Sequence, residues 1–61
     1  MEDKELLEYA DKYASELVRG MCFEVQMSLP SNLQDNIKAG TVTTKEQVKE
    51  YCNWYLGKAY K

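Results

Sequence analysis

The stretch Phe23-Glu24-Val25-Gln26-Met27-Ser28-Leu29-Pro30 decides the fold. It alternates apolar and polar residues up to the proline, which is the pattern of a half-buried strand. The same residues can also extend the first helix. In that case Val25 and Leu29 stay near a core face, and Phe23 and Met27 form a second apolar patch. A lone strand needs a partner, and nothing else in the chain alternates over more than a few residues. We therefore expect helix here, with Gly20 as a point where the chain can kink.

The segments on either side are plainer. Over residues 3–22, Leu6, Leu7, Ala10, Tyr13, Ala14, Leu17, Val18 and Met21 share one broad helical face. Glu8, Lys12, Ser15 and Arg19 lie opposite. This predicts a long first helix. After Pro30, Ser31 can cap a short second helix from Asn32 to Ala39, with Leu33 and Ile37 inward and Gly40 as its stop. Thr43 with Glu46, or Thr44 with Gln47, has the spacing of a capping box that opens a third helix. Val48, Tyr51, Cys52, Tyr55, Leu56 and Ala59 follow as a regular stripe. The expectation is one all-α domain over residues 1–61: a small three-helix domain with a long first, short second and medium third helix. Its core is expected to hold Leu6, Leu7, Ala10, Tyr13, Ala14, Leu17, Met21, Val25, Leu33, Ile37, Val48, Tyr51, Cys52, Tyr55 and Leu56.

Size and composition limit the function. The chain has 61 residues, a formal charge of -2, 44% apolar and 30% charged residues, two cysteines and no histidine. A domain this short buries only about 60% of the surface its unfolded chain exposes, and a deep catalytic cavity would remove core it needs. Without histidine, general acid–base work falls to a shifted carboxylate. Glu24 is the one acid near an apolar face, and a packed stem with a wet head is its ordinary state. Cys22 and Cys52 have no histidine base and form no CxxC pair, so the simplest expectation is two buried apolar thiols. One chain cannot complete a four-ligand Cys/His zinc site. No Gly-rich phosphate loop occurs. We expect no enzyme, no catalytic residue, no metal and no cofactor.

Charge and hydropathy address partners. Residues 1–24 carry seven acids and three bases, net -4, and residues 25–61 carry three acids and five bases, net +2. Lys45, Lys49, Lys58 and Lys61 are diluted by Glu46 and Glu50, so nucleic acid is not the expected partner. No apolar run exceeds three residues, far short of the roughly 20 that span a membrane. The acidic opening Met1-Glu2-Asp3-Lys4-Glu5 has no apolar signal region, and a cytoplasmic chain is expected. The aromatic residues number seven, and tyrosine-rich faces suit interfaces as well as small-core margins. Trp54 lies about 140° from the centre of the third helix's apolar stripe. It either covers a flank of the second helix or anchors a partner. Trp54, Phe23, Met27, Tyr60 and Lys58 are the candidate contacts, for another protein or a second copy of the chain. No small-molecule substrate is expected. The expected function is a small regulator that acts by binding a protein. Inhibitors encoded by phages and mobile elements have this size and chemistry.

Residues 23–56 also resemble, in part, a ribbon-helix-helix unit. The likeness rests on FEVQMSLP, LPSNLQDNI and AGTVTTKEQVKEY, read as strand, helix and capped second helix. It implies an intertwined dimer whose paired strands lie in the DNA major groove, with Glu24, Gln26 and Ser28 facing outward. Three features depart from that family. The first helix of the unit is about one turn short, Glu24 is acidic, and a long amphipathic helix precedes the strand.

Overall fold

The computed structural model describes residues 3–59. The chain forms α1 (Asp3–Leu17), a 3-10 turn (Val18–Gly20), α2 (Phe23–Lys38) and α3 (Lys45–Ala59). The all-α, three-helix architecture is the expected one, but the chain is divided differently. Residues 23–29 are helical, as expected, but they open the second helix instead of extending the first. The boundary anticipated at Pro30–Ser31 does not exist. Ser31 caps nothing, and the second helix, expected to be short, has 16 residues against 15 in each of the others.

Two forces explain that division. A proline in a helix interior lacks the N–H that would bond the Gln26 carbonyl, and costs about 3 kcal/mol. Against this, Leu29 and Leu33 are wholly buried and Ile37 nearly so. Each such side chain contributes roughly 1.5–3 kcal/mol when removed from water. The i, i+4, i+8 row that they make exists only if the helix runs through Pro30. Burial outweighs the missing bond.

The first helix stops early for the complementary reason. Residues 18–22, expected in the first helix, leave it through the 3-10 turn, and Met21 turns to an extended conformation (ψ 163°). Its N–H bonds the Val18 carbonyl at 2.9 Å. The Gln26 side-chain amide reaches back from α2 and donates to the carbonyls of Val18 and Met21, both at 2.9 Å. Carbonyls that a helix end leaves without partners are thereby satisfied. Val18 and Met21 are buried.

At the other junction Gly40 adopts φ +82°, the left-handed conformation that glycine enters without penalty. Gly40 N–H bonds the Ile37 carbonyl and Thr41 N–H bonds the Asn36 carbonyl, each at 3.0 Å. This pair of bonds is a Schellman motif. Of the two capping boxes the sequence allows, Thr44 with Gln47 forms. Gln47 N–H donates to Thr44 Oγ1 at 3.2 Å, and Gln47 Oε1 accepts from Thr44 N–H at 3.1 Å.

Side-chain pairings give the helix directions. Tyr51 meets Asn36 and Tyr55 meets Asn32, so α2 and α3 are antiparallel. Lys45 lies over Tyr9, and Lys49 shares a depression with Tyr13 and Glu16, so α1 and α3 are parallel. The result is an up-down-up bundle of 31 × 17 × 16 Å. The core holds Leu6, Ala10, Ala14, Val18, Met21, Leu29, Leu33, Ile37, Val42, Val48 and Cys52. Leu7, Tyr13, Leu17, Val25, Tyr51, Tyr55 and Leu56, expected inside, pack against that core while remaining partly exposed. Val18, Leu29 and Val42 also join it, and of these only Val42 lay off every expected apolar face. The unbroken α2 turns Leu29 inward, and Val42 folds under the bundle after the Gly40 turn. Among the described residues no strand forms, so the ribbon that the partial resemblance implies is absent. No described helix is long and apolar enough to cross a membrane.

Candidate functional site

The α2–α3 seam is polar. Ser28, Asn32 and Asn36 recur every fourth residue along α2, and Tyr51 and Tyr55 do so along α3. Asn36 Nδ2 donates to the Tyr51 hydroxyl at 2.6 Å and to the Asn32 carbonyl at 2.8 Å. Asn32 Nδ2 donates to the Tyr55 hydroxyl at 2.9 Å. The Ser28 hydroxyl is 3.3 Å from the Val25 carbonyl, to which it donates, and 3.2 Å from the Tyr55 oxygen. With Asn32 donating to Tyr55, the Tyr55 proton is free to go to Ser28. This completes a directed chain of bonds from Asn32 to the Val25 carbonyl. Burial, helped by the neighbouring Tyr55 and Cys52, raises the Tyr51 pKa, so the phenol stays neutral. The sequence reading placed both tyrosines in the core by their stripe. It missed the polar row opposite them, whose own i, i+4, i+8 spacing was visible.

This seam holds Trp54 in place. The indole is 57% exposed. It tilts against Tyr51, with ring centroids 6.0 Å apart and an interplanar angle of 54°. Lys58 Nζ lies 4.6 Å from its centroid, a cation–π distance. Val25, Tyr55 and Lys58 join it around a shallow depression of about 380 Å³. Asn53, Gly57 and Lys58 border a second one of about 290 Å³ on its other side. Trp54 thus stands as a ridge between two hollows, and Lys58 belongs to both.

Phe23 and Met27 are also exposed, at 73% and 64%, but elsewhere. At 100° per residue they lie about 120° and 160° round α2 from Leu29, in the sense opposite to Ser28. The candidate contacts therefore form two patches: Trp54 with Lys58 on the α2–α3 seam, and Phe23 with Met27 on the far flank of α2. Tyr60 lies outside the described residues.

A third depression, of about 320 Å³, runs between α1 and α3 beside Tyr9, Lys12, Tyr13, Glu16 and Lys49. Tyr9 and Tyr13 stack there with centroids 5.8 Å apart and planes 8° from parallel. Lys45 Nζ sits 5.3 Å over Tyr9. The local charges are mixed, and the aromatic pair covers the junction of the two helices.

The thiols differ from expectation. Cys52 is buried, but Cys22 is exposed at the N-cap position of α2, where the extended junction turns it outward. Burial pushes the Cys52 pKa up to about 11, which keeps it a protonated, shielded thiol at neutral pH. Glu24 is exposed. Among the described residues no polar or charged residue is buried, and no group of three or more His, Cys, Asp or Glu side chains is placed to hold a metal ion. In comparisons with known protein families, with curated proteins and with solved structures, the chain matches none.

Proposed function

We propose that this chain is a small, non-enzymatic regulator of the cytoplasm that acts by binding another protein, in the manner of the inhibitors encoded by phages and mobile elements. Its contact is the Trp54 ridge. The observation that carries this reading is a large aromatic side chain left more than half exposed on a helix whose register is set by hydrogen bonds. Tryptophan is enriched among residues that dominate binding energy, and a rigid support lowers the entropy lost on docking. Lys58 supplies a charged rim beside the ring.

The test compares wild type, Trp54→Ala and Gln34→Ala as baits in an extract of the source cells, followed by calorimetry with the purified partner. Trp54→Ala should weaken binding about 30-fold, equivalent to ~2 kcal/mol, with a melting temperature close to that of wild type. Gln34→Ala, an exposed substitution away from the ridge, should bind normally. Unfolding of Trp54→Ala would make the indole a core residue, and equal binding by all three chains would remove it from the contact.

A further inference from the structure

The α1–α2 junction lacks the local devices that stop a helix. It contains no proline, and its glycine, Gly20, does not take a positive φ. Met21 (φ -87°, ψ 163°) and Cys22 (φ -68°, ψ 159°) differ from helical residues chiefly in ψ. Two backbone rotations therefore separate the hairpin from one uninterrupted helix. The sequence permits that helix. Ala10, Ala14, Val18, Met21 and Val25 would fall within about 80° of one another along it. Gly20, Phe23 and Met27, spaced i, i+3, i+7, would line up on the opposite side. In the hairpin, Phe23 and Met27 are exposed.

We propose that residues Val18–Cys22 are a hinge through which two copies of the chain exchange their first helices. In the exchanged dimer the hinge is helical and α1 runs straight into α2. Each α1 then packs on α2 and α3 of the other copy. The occupant of that site is fixed by the fold itself, since Leu29, Leu33, Ile37, Val48 and Cys52 already form the surface that receives an α1. Exchange keeps those contacts and makes them between chains, so the balance is decided at the junction. The hairpin is favoured by the two bonds from the Gln26 amide to Val18 and Met21. The dimer is favoured by restored helical hydrogen bonds through the hinge.

Light scattering during size exclusion, under reducing conditions and up to about 1 mM chain, measures the equilibrium for wild type and Gln26→Glu. A carboxylate cannot donate to the two carbonyls, and in the straight helix position 26 lies outside both apolar stripes. Gln26→Glu should dimerise about 100-fold more tightly than wild type, because two bonds are lost from each hairpin. Mixed samples of isotope-labelled and unlabelled chains should then show the Tyr9–Lys45 contact between copies. Should Gln26→Glu fail to fold, Gln26→Met removes the same bonds without adding charge and carries the same expectation. Inserting Gly-Ser-Gly-Ser after Gly20 should return the dimer to monomer. The proposal is overturned if the folded Gln26 variant associates no more tightly than wild type. A dimer whose Tyr9–Lys45 contact stays within each chain overturns it equally.

Discussion

The chain reverses direction twice, at residues 18–22 and at residues 39–44. The second reversal is made by its own residues. Gly40 takes the left-handed turn, Thr41 and Gly40 close the end of α2, and Thr44 with Gln47 opens α3. The first reversal has no such local chemistry. Its stop comes from Gln26, five residues beyond Met21, and from the burial of Val18 and Met21 under the bundle. One turn is encoded where it occurs, and the other is imposed by what it packs against. A helix end without a local signal is a place where the same sequence has a second conformation close by.

Substitutions can separate the two cases. The largest effect is expected at the first reversal. Met21→Ala should cost about 2–4 kcal/mol by leaving a cavity under the turn, read as a lowered midpoint in urea. A loss under 1 kcal/mol would mean that burial does not hold this junction. Next is Gly40→Ala. Nothing lies within 4 Å of an added Cβ there, so the roughly 1–2 kcal/mol expected is the backbone cost of a left-handed alanine alone. An unchanged Tm would show that the turn relaxes to another type. Thr44→Ala should cost about 1 kcal/mol, the usual value of an N-cap side chain, and hydrogen exchange should quicken in the first turn of α3 while α1 is unaffected. Smallest is Gly20→Ala. Gly20 also has open space around it but no positive φ, so the change should be within about 0.5 kcal/mol and stabilising. A loss comparable to that of Gly40→Ala would make Gly20 a local stop after all and erase the contrast.

The candidate site was legible to a similar, uneven degree. Trp54 stood off its helical stripe in the sequence, and Lys58, one helical turn later, stood beside it. Both relations survive because residues four apart on one helix remain neighbours in any fold. The separation of Phe23 and Met27 from Trp54 was not legible, since it depends on how α2 rotates against α3. Nor was the exposure of Cys22, which follows from the extended junction rather than from the face it would occupy on a longer first helix. Pro30 misled for a related reason. Its cost is local and easily read, whereas the burial that outweighs it is shared among Leu29, Leu33 and Ile37 and the two helices they touch.

The sequence by itself determined three amphipathic helical segments, the Gly40 stop and a capping box at the start of α3. These are short-range matters of periodicity, backbone conformation and hydrogen bonds within one turn. Tertiary structure decided where α1 ends and that α2 runs through Pro30. It also turned Ser28, Asn32 and Asn36 toward Tyr51 and Tyr55. Each of these outcomes balances a local cost against burial or hydrogen bonding supplied by a different helix, and that balance exists only once the helices are packed together.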